Sequence, residues 1–273
     1  MIASPKKDYL TAYRQMNIIN IPLQQLQAFF LIFLRVGAIM MTVPLFGSKN
    51  IPVLLKAGLL LSISIVLFPI IKLDHMPLLT ELMPFGLGVI GEIILGVSIG
   101  LSVRLLFTGI QLAGQLAGFQ MGLAIVNVMD PQTSAQVPIL AQFNNLIAML
   151  VFLVINAHHW FLRSLVESFR LVPPFNFTLN YSLVEHLMKL GSNMFIIALK
   201  IGAPIMATML ITSVALGLIA RTVPQMHIFI VAMPLKILIG LLMLSLTVPY
   251  LSSFLHQVFS GLGKDIIFLL KAM

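Results

Sequence analysis

Long apolar runs, each cut by one or two polar residues, follow one another along most of this chain. The first extends from Leu26 to Phe46 and contains Arg35. A short turn, Gly47 to Pro52, leads to a second run, Val53 to Ile71, with Lys56 near its start. Lys72, Asp74, His75 and Pro77 make a polar connection to a third, Pro84 to Ile110, which carries Glu92 and Arg104. That run is long for one span and predicts tilt or a kink. The overlapping stretch Leu105 to Met129 has no charge after Arg104 but is rich in glycine and amides. Asp130-Pro131 ends it, and a helix is expected to break before the proline. Gln132 to Gln136 reads as a loop, and Pro138 suits a first helical position.

A fourth run, Ile139 to Ala157, contains Gln142, Asn144 and Asn145. His158, His159, Trp160, Arg163 and Arg170 resemble an interfacial belt, where aromatic and basic side chains settle. Residues 171–193 read as a polar connection with a short helix around Leu183 to Leu190. The fifth run is Met194 to Ala220, with Lys200 near its start. Arg221, Pro224 and Gln225 mark a turn before the sixth, Ile228 to Leu251, which contains Pro234, Lys236 and Pro249. Phe254 to Met273 is expected to be a last amphipathic helix. A spanning helix needs ~20 apolar residues, so the pattern predicts an all-α, multi-helix integral membrane protein with broken and kinked helices.

Composition turns this expectation into an exclusion. Of 273 residues, 59% are hydrophobic and 9% charged, and the mean hydropathy is +1.06. Soluble domains carry about a quarter charged residues, so this chain cannot solvate a globular surface. The formal charge of +8 comes from scattered Lys and Arg, with no run longer than Lys6-Lys7. Such residues flank spans near anionic headgroups, and no nucleic-acid partner is expected. The N-terminal tail and the turn after the first run are both basic, so charge does not fix the topology. Met1 to Ile21 has no clean apolar core with a cleavage site, which predicts no signal peptide. With no cysteine, thiol catalysis and cysteine-held metals are excluded.

Several motifs change the picture further. Gly86, Gly88 and Gly91 match a dinucleotide fingerprint, but that motif needs a preceding strand and an acidic residue ~20 positions on. Here it sits in an apolar run, and close helix packing is the better reading. Gly114, Gly118 and Gly122 repeat at four-residue spacing, which places small residues on one helical face. Gly96 and Gly100 repeat the device earlier. Gln111, Gln115 and Gln120 accompany these glycines, and amides cannot lie cheaply against lipid. The glycine face serves helix packing, or with the amides it lines a conduit. Met121 and Met129 supply adaptable side chains there.

Arg35, Glu92 and Arg104 are expected to be buried charges, since each would cost ~2.5–3.5 kcal/mol at mid-bilayer. Lys56, Lys200 and Lys236 lie nearer segment ends and can snorkel. His158-His159 lacks a third metal ligand. There is no Walker loop, no G-x-S-x-G and no carboxylate pair, so neither a cofactor nor an enzymatic activity is expected.

Three stretches together resemble the FliR family of flagellar export-gate proteins. They are Gly114 to Ala124 with Val128 to Pro131, Asn156 to Trp160 with Leu165 to Phe169, and Ala215 to Ile219 with Val223 to Met226 and Pro234-Leu235. Injectisome export-apparatus proteins are more distant relatives. The likeness implies a FliP-like part, residues 1–193, followed by a FliQ-like helical hairpin, residues 194–273, with its terminal amphipathic helix. It implies FliP and FliQ homologues as partners, FlhB and FlhA homologues nearby, and unfolded flagellar proteins as cargo. The place implied is the bacterial inner membrane, within the flagellar basal body. By position, Ile125, Val126, Asn127, Val128 and Met129 correspond to the family's pore plug, ended by Asp130 and Pro131. An apolar constriction gates by dewetting. The injectisome version of the same export apparatus, a small-solute transporter and a non-transporting scaffold remain rival readings. A transporter of that kind predicts inverted repeats and a midplane site, and the chain shows no convincing repeat.

Overall fold

The computed structural model describes residues 22–47, 51–71, 81–123, 138–222 and 228–273. Every regular element among them is a helix: α1 Leu23–Thr42, α2 Pro44–Gly47, α3 Val53–Leu67, α4 Leu82–Gln120, α5 Ile139–Val154, α6 Ala157–Leu171, α7 Tyr181–Thr222 and α8 Ile228–Lys271.

The helix starts follow from the prolines. Pro22, Pro52 and Pro138 stand directly before α1, α3 and α5, with φ of −57°, −54° and −57°. Proline has no N–H to leave unpaired at a helix start. Each proline carbonyl accepts an early helical bond, from Gln25, Leu55 and Gln142 respectively. Pro138 therefore precedes the first helical residue instead of occupying that position.

α4 is the trunk of the molecule. Its 39 residues extend roughly 58 Å at 1.5 Å per residue, and the other long helices pack along it. α1 runs parallel to it: Phe30 stacks on Phe85, Arg35 meets Glu92, and Ala38 lies against Gly96. α5 runs antiparallel, with Gln111 bonded to Asn145 and Phe107 against Phe152. α7 is parallel, with Met194 and Ile197 at Gly109. α8 returns antiparallel to α7, and the His186 ring lies tilted against Phe268 with centroids 4.9 Å apart. The centre of the core is a three-ring cluster of Phe107, Phe152 and Phe259, with centroid separations of 5.3–5.7 Å. Tilted and edge-on aromatic contacts at that range are favourable beyond their buried area.

The structure joins elements that the sequence pattern separates. The third run and the glycine-rich stretch form the single helix α4. The expected short helix Leu183 to Leu190 and the fifth run form α7, which continues through Pro204. The sixth run and the terminal amphipathic segment form α8, which passes through Pro234 and Pro249. Proline removes one helical bond. In apolar surroundings a long helix tolerates that loss, because neighbours and local adjustments satisfy the freed carbonyl.

One expected span breaks instead. The fourth run ends at Val154, and Asn156 adopts a left-handed φ of 56°. The chain turns by 71° into α6. Asparagine tolerates this conformation better than other non-glycine residues. α6 then buries Phe161, Leu165 and Phe169 on one face, so the expected interfacial belt is an amphipathic helix.

Among the described residues, four helices are long and apolar enough to cross a membrane: α1, α4, α7 and α8 from Ile230. The bent α5–α6 pair makes a fifth if it counts as one span. Six spans were expected, and α3 falls short at 15 residues. Within its most apolar stretch α4 is 61% buried, whereas α8 is only 6% buried. α4 is thus an internal helix, and α8 presents its apolar surface outward. Hydroxyls on these helices donate back to carbonyls of the preceding turn, as Ser98 does to Ile94 and Thr212 to Thr208 at 2.8 Å. That local bond satisfies a hydroxyl without any partner helix.

Candidate functional site

Two features concentrate the unusual chemistry: a buried guanidinium hub, and the glycine-rich half of α4 with its C-terminal end.

Arg35 is fully buried, and Glu92 is 2% exposed. Apolar residues before and after each bury both side chains in the α1–α4 seam. Arg35 offers five N–H donors, and each has an acceptor. Nε donates to Glu92 Oε2, and Nη2 donates to Glu92 Oε1 at 2.8 Å and to the Val172 carbonyl at 3.0 Å. Nη1 donates to the Ser168 carbonyl at 3.0 Å and to Ser168 Oγ at 3.4 Å. The Ser168 hydroxyl itself donates to Leu165 O, which leaves its lone pairs free for Arg35. The guanidinium also lies 4.0 Å from the centroid of the Phe169 ring.

This geometry does more than pair two charges. Ser168 and Val172 lie at the C-terminal end of α6, where the helix dipole is negative; the Ser168 carbonyl also accepts the Val172 N–H, whereas Val172 lies past the last helical residue. Arg35 therefore caps α6 while holding α1 to α4 through a bidentate carboxylate bond. Sequence reasoning identified Arg35 and Glu92 as buried but not their partnership. Ser168, Phe169 and Val172 carried no sequence signal for it. The third expected buried charge, Arg104, is different: it lies on the exposed face of α4. The apolar residues flanking it in sequence belong to other faces of the helix. Lys200 is exposed, and Lys56 and Lys236 are half-buried.

The glycines of α4 act one by one. A Cβ on Gly96 would meet Ala38 Cβ at 2.7 Å and the Arg35 carbonyl at 2.8 Å. One on Gly114 would lie 2.6 Å from Ala141 Cα and from the Leu140 carbonyl. These two positions let α1 and α5 approach backbone to backbone. Gly118 is less tight, with Leu140 Cδ1 at 3.7 Å. The dinucleotide-like trio is also a packing device. Gly88 receives the ring of Phe175, a Cβ on Gly91 would lie 3.3 Å from Phe177 Cβ, and Gly86 faces open space. Phe175 holds a positive φ of 70°, which aims its ring into this notch.

Gln111 donates to Asn145 Oδ1 at 2.9 Å, so this amide joins α4 to α5. Gln115 is half-buried and Gln120 is exposed. The four-residue glycine repeat does not extend to Gly122. α4 stops at Gln120, and Gly122 has φ of 82°. The Leu123 N–H reaches the Gly118 carbonyl, and the Gly122 N–H reaches Phe119. This is the Schellman end, in which a left-handed glycine lets two orphan carbonyls pair. The helix therefore ends ten residues before the break expected at Asp130.

Met121 sits at that end and is fully buried. It packs with Ala117, Leu140, Ile205 and Met209 and reaches Gly240 of α8. A Cβ on Gly240 would lie 2.5–2.6 Å from Met121 Cγ, Sδ and Cε. Gly240 was not singled out in the sequence, because one glycine in an apolar run carries no period. Ile125, Val126, Asn127, Val128, Met129, Asp130 and Pro131 lie outside the described residues, as do Pro224 and Gln225. Arg221 is exposed in the last turn of α7.

Comparison with known proteins identifies relatives over almost this whole chain. The family model described as bacterial export proteins, family 1, matches residues 26–262. The flagellar biosynthetic protein FliR of Bacillus subtilis strain 168 is 35% identical over 236 residues, covering 85% of this chain and 90% of the relative. FliR of Escherichia coli K12 is 30% identical over 249 residues, covering 90% and 94%. FliR of Pectobacterium carotovorum is 33% identical over 233 residues, covering 85% and 88%.

Proposed function

The chain belongs to the bacterial export proteins, family 1, and from that membership we propose that it is a membrane-embedded, non-enzymatic subunit of the flagellar type III protein export gate. The observation that carries this reading is full-length similarity to proteins named flagellar biosynthetic protein FliR, at 30–35% identity over at least 85% of the chain. The subunit forms and gates part of the conduit through which unfolded flagellar proteins leave the cell. Its place is the inner membrane, in the flagellar basal body. Its partners are FliP and FliQ homologues, with FlhB and FlhA homologues at the same apparatus. Residues 1–193 form the FliP-like part and residues 194–273 the FliQ-like part, whose hairpin is α7 from Met194 onward together with α8.

Three structural features support the reading. α8 carries an apolar surface that its own chain leaves uncovered, as a subunit packed among lipid and other subunits requires. Arg104 lies exposed on a trunk helix too apolar to face water, a position suited to a neighbouring subunit. The trunk ends in a glycine turn at Gly122, immediately before the segment Ile125 to Met129 that is assigned as the plug. The same geometry weakens the transporter reading. A proton relay needs a titratable carboxylate with access to water, and Glu92 is locked under Arg35.

The test is deletion of Ile125 to Met129 in a strain carrying this protein as its only copy. Assembly with the partner subunits is expected to persist, while the membrane becomes permeable to small ions. Unchanged permeability in a fully assembled complex would refute the plug assignment.

A further inference from the structure

α1 and α3 meet as an antiparallel pair. Phe29 lies edge-on to Phe68 with centroids 5.9 Å apart, and a Cβ on Gly37 would touch Leu60 Cδ2 at 3.4 Å. Past that touch, between the end of α1 and the start of α3, lies a cavity of about 510 Å³. Met40 and Met41 of α1, Phe46 of α2, and Val53 and Ala57 of α3 line it. Its volume falls in the range of small-molecule sites, roughly 300–1,000 Å³. An apolar cavity holds water poorly and accepts apolar guests, and methionines adapt their flexible arms to such a guest.

Lys56, in the first turn of α3, also lines the cavity and is the only charged residue among those described around it. It is half-buried, and among the described residues it has no ion-pair or hydrogen-bond partner. A half-buried ammonium without an anion is unfavourable. The site therefore suits a ligand with an apolar body and a negative end. α3 also turns Leu54, Leu61, Ile65 and Val66 outward, so the cavity opens beside a surface made for lipid. A peptide entering it would bring backbone N–H and C=O groups that must be bonded. Of the side chains described around the cavity, Lys56 alone forms hydrogen bonds. An acyl chain brings no such groups.

We infer that this cavity is a binding site for an anionic phospholipid, with an acyl chain between α1 and α3 and the headgroup phosphate on Lys56. Basic positions beside apolar pockets between membrane helices recognise anionic headgroups in this way. A lysine ammonium is a compact point charge with three rotatable donors, so it meets a phosphate from several directions. The site goes beyond the export-gate reading. It rests on the chain's place in a membrane and on neither the plug nor the partner subunits.

The test uses the full-length protein, extracted from membranes with the subunits that accompany it. It is reconstituted in phosphatidylcholine vesicles holding a trace of phosphatidylglycerol with a photoactivatable acyl chain, and labelled residues are located by peptide mass spectrometry. Labelling is expected to concentrate on Met40, Met41 and Ala57. Excess unlabelled phosphatidylglycerol is expected to lower it several-fold, whereas added phosphatidylcholine leaves it unchanged. Lys56→Gln is expected to erase this headgroup preference, and Lys56→Arg to keep it. Ala57→Trp fills the cavity from α3 and is expected to abolish labelling there while the outward face of α8 is labelled as before. If Ala57→Trp lowers the yield of protein, Lys56→Gln, at the rim of the cavity, decides the matter. Cavity labelling no stronger than that of α8, or a parent-like headgroup preference in Lys56→Gln, would overturn the proposal. So would an unlabelled cavity, the result expected if a neighbouring subunit fills it. Equal competition by free oleate would overturn the phospholipid as the source of the chain.

Discussion

Removing the Arg35 side chain breaks the buried pair that ties α1 to α4 and reaches the end of α6. In Arg35→Leu, the Glu92 carboxylate stays at 2% exposure with both of its guanidinium bonds gone. The Val172 carbonyl at the end of α6 loses its donor as well, and the Ser168 carbonyl keeps only the Val172 N–H. Removing one partner of a buried pair costs about 3–5 kcal/mol, and the orphaned Val172 carbonyl adds about 1–3 kcal/mol. Most domains are stable by only about 5–15 kcal/mol, so Arg35→Leu is expected to abolish accumulation of the assembled protein. Arg35→Lys is expected to fail nearly as badly, because a single ammonium cannot reproduce the planar fork. Arg35→Leu with Glu92→Leu removes the unpaired charge and is expected to recover part of the loss, since apolar replacements of buried pairs are often well tolerated. It should remain below the parent, because the Val172 carbonyl still lacks a donor.

The charge swap, Arg35→Glu with Glu92→Arg, separates the hub from a plain ion pair. It keeps the Coulomb attraction but turns a carboxylate toward the Ser168 and Val172 carbonyls, acceptor against acceptor. The expected result is no rescue. The assay is the midpoint of thermal unfolding of the purified membrane complex in detergent, read together with its abundance in membranes. Full rescue by the swap would refute the claim that Arg35 caps α6, and a parent-like midpoint for Arg35→Leu would refute the hub altogether.

Three further outcomes follow from the packing. Gly114→Ala, whose Cβ meets α5 backbone at 2.6 Å, is expected to destabilise by about 1–3 kcal/mol, whereas Gly118→Ala is expected to be neutral or slightly stabilising; the thermal midpoints of the two complexes check this. Gly88→Val is expected to expel the Phe175 ring and reduce complex yield, while Gly86→Ala, which faces open space, leaves yield unchanged. Asn156→Val is expected to cost about 1–2 kcal/mol because its left-handed φ of 56° penalises a β-branched side chain, and Asn156→Gly to be tolerated, both measured by melting.

Helix content and membrane character were legible in the hydrophobic pattern, because their signal is local and repeats along the chain. The buried state of Arg35 and Glu92 was also legible, from the cost of charges in apolar runs. Their partnership was not, since 57 residues separate them and no period connects α1 to α4. Arg104 shows the converse limit. An apolar neighbourhood in sequence surrounds the whole helix circumference, so it cannot say which face a charge takes. Pro204, Pro234 and Pro249 all lie within helices, inside the fifth and sixth apolar runs, so the hydrophobic pattern outweighed proline as a guide to helix ends. Gly122 misled about the glycine stripe, because the spacing of a packing face and the placement of a C-terminal glycine turn are indistinguishable until the helix end is known. The Met121–Gly240 contact joins residues more than a hundred positions apart; Met121 lies in the Gly114 to Ala124 stretch, but Gly240 belongs to no motif.

The central claim is that this chain works as one part of a multi-subunit export gate. Its most direct test is native mass measurement of the affinity-tagged protein, extracted with mild detergent from cells that also express its FliP and FliQ homologues. The expected result is recovery in a single large complex that contains both partner types. Recovery as a stable, partner-free monomer that moves a small solute across vesicle membranes would contradict it.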